Sequence, residues 1–194
     1  FGRSNPHWDF PCVDLDGAAG MRHVVQHLLA NGHRSLAAIA FPQNSRVGQN
    51  RMEGFTAAMN AAGLPVIEDD IRRGEGTYQF GYQSARLFLQ RPPEQRPSAL
   101  VAFNDVMAIG AMQAARDLGL EPGRDLAGTG YDDTPMGAYR TPPLTSVRQP
   151  VAQIGARLVE MLVGILRGTA ESQTPLLFEP ELIIRQSSDF IYPG

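Results

Sequence analysis

An arginine, an amide and a carboxylate stand where the sequence predicts the ends of successive elements. Arg51 lies in the first turn of a predicted helix, Asn104 comes directly after the apolar run SALVAF, and Asp132 comes directly after LAGTGY. In an open α/β sheet, ligands bind outside the carboxyl ends of the strands. A guanidinium fork, a carboxylate and an amide at one edge suit a polyhydroxylated or anionic small molecule.

These polar residues have a structural alternative as helix caps and solvated loop ends. Asp105 is well placed to cap the helix predicted at 105–118, because short oxygen-bearing side chains accept hydrogen bonds from first-turn N–H groups. Asp132 and Asp133 are neighbours in an extended segment, so their side chains point to opposite sides. We expect one of the two to face a ligand and the other to pair locally.

The sequence carries no signature of catalysis or of metal binding. It contains neither a G-x-S-x-G elbow nor a G-x-x-x-x-G-K-[ST] phosphate loop. His23 and His27 have a metal-compatible spacing, but no glutamate follows His23 as it does in zinc peptidases. The run Gly128-Thr129-Gly130 lacks the third glycine of a dinucleotide fingerprint. We therefore expect no catalytic residue, no metal and no cofactor.

The composition describes a globular chain with no strong electrostatic preference. The 194 residues are 43% apolar, and the net charge is −3 with a pI near 5.8. A slightly negative net charge argues against direct binding of this chain to nucleic-acid phosphates. No apolar run approaches the roughly 18 residues of a membrane span, and the single Cys12 has no internal disulfide partner. The chain starts at Phe1 without a leader pattern, and we expect further residues upstream.

Apolar periodicity predicts strands that alternate with helices. The helices are expected at 17–31, 48–62, 78–90, 105–118 and 151–167, and the strands at 35–41, 66–73, 98–103, 126–131, 176–179 and 181–185. Short, continuously apolar runs such as SLAAIAF are typical of strands covered on both faces. Four strand-to-helix alternations with short connections predict an α/β fold, a Rossmann- or flavodoxin-like parallel sheet with helices on both faces.

Several motifs, taken in chain order, resemble those of the LacI/GalR family of transcription regulators. They are LLANGHRSLAAI at 28–39, RMEGF at 51–55, NDVMAIGA at 104–111, GYDD at 130–133 with PLTSVRQP at 143–150, and PELIIRQSS at 180–188. The resemblance covers about residues 1–188. It implies a two-lobed sensor fold of the type I periplasmic-binding-protein kind, with a small effector bound between the lobes.

The resemblance also implies roles for particular residues. Carried over by position, the effector contacts are Arg51, Asn104 and Asp132, and the cleft is further lined by Ser45, Tyr78 and Gln149. Family members form homodimers. Here the corresponding interface residues are Ile109 and Met112 on one helix and Tyr139 in a later loop.

The family pattern divides the chain into four segments. Residues 1–10 correspond to the end of an N-terminal lobe, 11–148 to the C-terminal lobe, 149–178 to a segment returning to the N-terminal lobe, and 179–194 to a closing strand and tail. We expect the N-terminal lobe to be truncated and the DNA-binding domain to be absent from this chain. Since helix 151–167 packs on the other lobe in relatives, we expect its stripe of Ile154, Leu158 and Leu162 to be exposed or paired with another chain.

Our interpretation is the effector-binding and dimerisation domain of a cytoplasmic LacI-type regulator that senses a sugar or related polar metabolite. Operator DNA is then contacted only through the absent helix-turn-helix, and no membrane is involved. One alternative is a periplasmic sugar-binding protein of a transport system, which shares the fold but needs a secretion signal. Another is an α/β enzyme acting on a sugar or phosphate, for which no catalytic signature is present.

Overall fold

The structure is a computed structural model that describes residues 12–168 and 176–193. Its strands are β1 (Val13–Leu15), β2 (Leu36–Ala40), β3 (Ile71–Arg73), β4 (Ala99–Ala102), β5 (Ala127–Asp132), β6 (Thr145–Arg148), β7 (Leu176–Phe178) and β8 (Glu181–Ile183). Its helices are α1 (Gly17–Ala30), α2 (Arg46–Ala61), α3 (Tyr78–Leu89), α4 (Asp105–Asp117), α5 (Pro135–Ala138) and α6 (Val151–Leu166). The five predicted helices are all present, with bounds within two residues of those expected.

Six strands form one sheet in the order β3-β2-β4-β5-β6-β8. The first five are parallel, and β8 runs antiparallel to β6 at one edge. The prediction of a parallel sheet is confirmed for β2, β3, β4 and β5, whereas β6 was not among the predicted strands. Every residue of β2 and β4 is buried. Burial on both faces explains why these two strands read as uninterrupted apolar runs.

The strand predicted at 66–73 is shorter in the structure. Glu68–Asp70 form a 3₁₀ turn, and only Ile71–Arg73 pair with β2. Aspartate is disfavoured in strands; Glu68 and Asp69 are exposed, and Asp70 is half-buried. The strand therefore begins after the acidic run.

The chain reverses its direction across the sheet between β2 and β4. It runs outward from β2 to β3, returns past β2 to β4, and continues to β5 and β6. Right-handed crossovers place α2 and α3 on opposite faces, where α1 packs on α2 and α3 packs on α4. The reversal creates a topological switch point at the carboxyl ends of β2 and β4, the position at which open α/β sheets bind ligands.

Glycines allow the helices of each pair to approach backbone to backbone. A Cβ atom added to Gly54 on α2 would overlap the backbone of Ala18 on α1, and one added to Gly81 on α3 would overlap the backbone of Met107 on α4. In each pair the two helix backbones are therefore in direct contact at the glycine. This close packing fixes the helix N-termini that border the switch point.

A second, two-stranded sheet is formed by β1 and β7, which pair in parallel. The predicted division placed β1 in segment 11–148 and β7 in segment 149–178, and the pairing joins the two segments. Residues 1–10, predicted as the end of the N-terminal lobe, lie outside the described residues.

Most apolar side chains of α6 are exposed. Leu162 is 56% and Leu166 is 77% exposed, Leu158 is half-buried, and Ile154 is only 3% exposed. The expectation of an exposed stripe is confirmed for Leu162 and wrong for Ile154. The difference arises because the first turns of α6 lie against β1.

The described residues show no membrane-spanning helix and no metal-binding cluster. None of their helices combines the length and apolar character needed to cross a membrane. They also contain no cluster of three His, Cys, Asp or Glu side chains that could hold a metal ion. Cys12 is a buried free thiol.

Candidate functional site

Arg51 lies at the switch point, on the inner face of α2, where it is 5% exposed. The helix begins after Ser45, whose hydroxyl accepts a hydrogen bond from the N–H of Gly48 at 3.1 Å. This cap fixes the first turn of α2. Arg51 follows one turn later and reaches the backbone at the end of β4.

The Arg51 guanidinium is enclosed by aromatic rings and bonded to the backbone. Its Nη1 donates to the carbonyl of Phe103. Its central carbon lies 3.5 Å from the ring centroid of Tyr131 and 5.7 Å from that of Phe41. Its Nη2 lies 3.6 Å from Oδ1 of Asp132. Burial lowers the pKa of Arg51 while Tyr131 and Asp132 act to raise it, and a guanidinium stays charged in proteins.

One nitrogen of the Arg51 side chain does not form a hydrogen bond among the described residues. The Nε–H of Arg51 is buried and has no hydrogen-bond partner within residues 12–168 and 176–193. A buried donor without a partner costs free energy. An unbonded guanidinium N–H beside a carboxylate is a combination that an oxygen-rich ligand can complete.

Asp132 presents its carboxylate on the same side as Arg51. Gln149 donates from Nε2 to Oδ1 of Asp132 at 2.6 Å. The Asp132 side chain is 35% exposed, so it remains open to solvent. Burial raises the pKa of Asp132, and the nearby charge of Arg51 opposes that rise. The structure thus brings together three of the six predicted ligand residues: Arg51, Asp132 and Gln149.

Asp133 faces the other way. Its Oδ2 lies 2.7 Å from Nε of Arg148 and its Oδ1 lies 2.6 Å from Nη2 of Arg185. The expectation that the two adjacent aspartates point to opposite sides is confirmed. Asp132 is the one that faces Arg51.

Asn104 is the N-cap of α4. Its Oδ1 accepts the N–H of Met107 at 2.7 Å, and its Nδ2 donates to the carbonyl of Gly76 at 3.1 Å. The prediction that Asp105 caps this helix is wrong, because the cap lies one residue earlier and Asp105 is the first helical residue. Asn104 stays half-buried at the switch point. A ligand contact would use its second amide hydrogen or second lone pair.

Ser45 and Tyr78 lie at the N-termini of α2 and α3, at the edge that contains the switch point. The Ser45 hydroxyl is engaged in its cap, whereas Tyr78 is 40% exposed and stacks on Tyr82 with 6.3 Å between ring centroids. In the described residues no hydrogen bond or ion pair links Ser45 or Tyr78 to Arg51 or Asp132. Their role as ligand contacts stays a prediction.

Sequence reasoning missed three residues of the site, Phe41, Tyr131 and Gly76. The two aromatic rings flank the guanidinium of Arg51. A Cβ atom on Gly76 would lie 2.7 Å from the Phe41 ring and 2.8 Å from Nδ2 of Asn104, so glycine lets this loop close onto the site. A signal was available for the aromatic residues, since each stands at the end of an apolar run beside the polar residues.

The predicted dimer residues differ in exposure. Tyr139 is 88% exposed, but Ile109 and Met112 are each 4% exposed and belong to the hydrophobic core. Ile109 and Met112 therefore have little surface to offer a second chain. The large apolar side chains that α4 and α5 do expose are Val106 and Met136.

A groove of about 570 Å³ runs along the outer face of α2. Phe41 lines both this groove and the Arg51 site, but neither Arg51 nor Asp132 lines the groove. Arg51 projects from the inner face of the same helix. The groove is therefore a neighbour of the candidate site and not the site itself.

Comparison with known proteins identifies relatives of this chain. The model of the periplasmic-binding-protein-like domain matches residues 25–188. The regulator CelR of Thermobifida fusca is 34% identical over 175 residues, which are 90% of this chain and 51% of CelR. This chain spans about half the length of the curated relatives it matches.

Solved structures agree. A regulatory protein of the LacI family from Chloroflexus aggregans is 50% identical with a TM-score of 0.94, and the match covers 97% of this chain and 67% of that one. A complex of CelR with cellobiose is 33% identical with a TM-score of 0.87, covering 95% of this chain and 56% of that one. These relatives are transcription regulators. This chain belongs to the periplasmic-binding-protein-like domain family, in the LacI/GalR branch of transcription regulators.

Proposed function

We propose that this chain is the effector-binding domain of a LacI-type regulator and binds a sugar or related polar metabolite beside Arg51 and Asp132. The observation that carries the proposal is the buried guanidinium with an unbonded Nε–H next to a partly exposed carboxylate. A sugar hydroxyl both donates and accepts hydrogen bonds. One hydroxyl can therefore donate to Asp132 while another accepts from Arg51.

The other predicted residues have supporting roles in this proposal. Gln149 orients the Asp132 carboxylate through their 2.6 Å hydrogen bond. Asn104 and Ser45 border the site, and the exposed ring of Tyr78 offers an apolar face to a sugar ring. Charge-assisted hydrogen bonds contribute about 1.5–3 kcal/mol each. Three of them, with stacking, are consistent with micromolar affinity, about −8 kcal/mol.

In the whole protein, ligand binding regulates transcription without chemical change to the ligand. We propose that the protein acts in the cytoplasm as a homodimer and that operator DNA is bound by a helix-turn-helix outside this chain. The exposed side chains of Tyr139 and Met136 support a contact surface at α5 and the residue that follows it. CelR, seen with cellobiose, provides the first candidate for the ligand class.

The test is a ligand screen on the purified protein with cellobiose, glucose and other mono- and disaccharides. A ligand present at 100 times its dissociation constant stabilises the folded state by about 2.7 kcal/mol. We expect at least one sugar to raise the melting temperature and to titrate calorimetrically, and to be recovered unchanged after incubation. A flat response to every sugar at millimolar concentration, or turnover of the bound sugar, would contradict the proposal.

A further inference from the structure

Asp105 is a fully buried carboxylate that forms no hydrogen bond with Arg51, Asp132 or Gln149 among the described residues. It is the first residue of α4 and has 0% exposure. Aspartate is almost never fully buried unless it is paired. No lysine, arginine or histidine of the described residues forms an ion pair with it, whereas neighbouring Asp133 is paired with both Arg148 and Arg185.

The partners of Asp105 are all hydrogen-bond donors in or beside the turn after β5. Its Oδ2 accepts the backbone N–H of Thr134 at 2.6 Å and the Thr134 hydroxyl at 2.9 Å. Its Oδ1 accepts the Ser146 hydroxyl at 2.5 Å. The Ser146 oxygen in turn accepts the N–H of Asp133 at 3.0 Å. The buried Asp105 carboxylate is therefore hydrogen-bonded to Thr134 directly and to Asp133 through Ser146.

The turn itself is in a conformation that needs external support. Asp132 has a φ of 116° and Asp133 a φ of 50°. Residues with a side chain rarely adopt such angles, and they persist only where the surroundings determine them. Asp105, from α4, and Ser146, from β6, supply that support from two separate elements.

The surrounding packing leaves room for this carboxylate. A Cβ atom on Gly130 would overlap Oδ1 of Asp105, and one on Gly137 would lie 3.5 Å from Oδ2. Burial raises the pKa of Asp105, while the hydrogen bonds from Ser146 and Thr134 lower it. The two glycines leave space for the Asp105 carboxylate, and the three donors form hydrogen bonds with its oxygens.

We propose that Asp105 is a positioning residue for the ligand site: it fixes the turn at 132–134 so that Asp132 points its carboxylate at Arg51. This inference rests on the proposed function for the ligand, but the placement of Asp132 against Arg51 can be measured without one. Asp105 acts through Asp132 and does not itself contact the ligand. Ser146 is its relay to Asp133.

The test compares three substitutions with one control. Asp105→Ala removes the acceptor, Asp105→Asn keeps the shape and one acceptor oxygen, and Ser146→Ala removes the relay. Ser98→Ala is the matched control, because Ser98 is also a buried hydroxyl but bonds His33 at 3.1 Å at the opposite end of the sheet. Circular dichroism and chemical unfolding establish that each variant is folded.

The first readout needs no ligand. The Nε–H signal of Arg51 in a ¹⁵N-labelled sample, assigned by its loss in Arg51→Lys, reports the surroundings of the guanidinium, whose Nη2 lies 3.6 Å from Oδ1 of Asp132. We expect this signal to shift in Asp105→Ala and Ser146→Ala, to shift less in Asp105→Asn, and to stay in place in Ser98→Ala. An unchanged Arg51 signal in Ser146→Ala and Asp105→Asn, both folded, would overturn the proposal even if Asp105→Ala unfolds.

The second readout is calorimetric titration with cellobiose, or with the sugar that the screen identifies. Loss of one well-placed charged hydrogen bond corresponds to weakening by about ten-fold or more. We expect that loss in Asp105→Ala and Ser146→Ala, with affinity partly restored in Asp105→Asn and unchanged in Ser98→Ala. If no sugar binds the unmodified protein, the proposed function fails, while the Arg51 signal still decides the role of Asp105.

Discussion

The guanidinium carbon of Arg51 lies 3.5 Å from the centroid of the Tyr131 ring, and the ring is fully buried in β5. This stack joins α2 to the strand that ends at Asp132. Burial raises the pKa of the Tyr131 hydroxyl to about 12, so the ring stays neutral at physiological pH. Arg51 is consequently held in place before any ligand arrives, which reduces the ordering cost of binding.

Arg51→Lys is expected to destabilise the fold although it preserves the charge. Lysine lacks the planar group that stacks on Tyr131 and bonds the Phe103 carbonyl at the same time. A desolvated cation–π contact and a hydrogen bond from a charged donor are together consistent with a loss of about 2 kcal/mol. Urea unfolding measures the change, with Arg46→Lys on the exposed start of α2 as the control. Equal stability of the Arg51 variant and the unmodified protein would show that the stack contributes nothing.

Asp132→Asn is expected to be tolerated at neutral pH. Burial raises the pKa of Asp132 in the folded state above its ordinary 3.8, so the fold binds this proton more tightly than the unfolded chain does. Its contribution to stability is therefore present below pH 3.8 and is lost as the pH rises through the raised pKa. Asparagine resembles the protonated form. Relative to the unmodified protein, the variant should be more stable at pH 7 than at pH 3.5, and the opposite trend in unfolding experiments would contradict the assigned shift.

Gly54→Ala is expected to lower the free energy of unfolding by about 3 kcal/mol, because its Cβ would overlap the backbone of Ala18 and force α1 and α2 apart. Gly155→Ala is the matched control within another helix. No atom lies within 4 Å of a Cβ added to Gly155, and alanine there should add up to about 1 kcal/mol through helix propensity. Similar effects of the two substitutions in chemical unfolding would be inconsistent with the close packing of α1 on α2.

Acid should weaken the fold through His33. This side chain is fully buried, stacks on Tyr192 at 5.0 Å and contacts Ser98 through Nδ1 at 3.1 Å. Burial lowers its pKa from 6.5 to about 4, so the unfolded chain binds the proton more tightly. Stability is therefore present above pH 6.5 and is lost as the pH falls towards 4, by about 3 kcal/mol in all.

The His33 effect is measured as the difference in unfolding free energy between pH 7 and pH 4.5. We expect a smaller difference in His33→Phe than in the unmodified protein. His23→Gln is the control for loss of a histidine outside this buried cluster, since the His23 side chain is 38% exposed. An identical pH dependence in His33→Phe would assign the acid sensitivity to other groups.

Much of the scaffold could be predicted because its signals are local. Apolar periodicity located the helices, and the continuous apolar runs of β2 and β4 indicated strands covered on both faces. The antiparallel pairing of β8 and the separate pairing of β1 with β7 could not be predicted, since strand partners are distant in sequence. Those pairings are decided by tertiary packing.

The site was only partly predictable for the same reason. Arg51 and Asp132 were expected at the edge formed by the carboxyl ends of parallel strands, and the structure places Nη2 of Arg51 3.6 Å from Oδ1 of Asp132. Asp105 was misread as a cap because Asn104 beside it is equally suited to that position, and only the backbone geometry separates them. Its true partners, Thr134 and Ser146, lie 29 and 41 residues away.

Binding of a sugar beside Arg51 and Asp132 is tested most directly by calorimetric titration of the sugar found in the screen, beginning with cellobiose. The sugar is titrated into the unmodified protein, into Asp132→Ala and Arg51→Ala, and into the surface control Arg46→Ala. We expect the unmodified protein and Arg46→Ala to bind with equal affinity, and folded Asp132→Ala and Arg51→Ala to bind at least about ten-fold more weakly. Undiminished binding by a folded Asp132→Ala variant would show that the ligand does not bind beside Arg51 and Asp132.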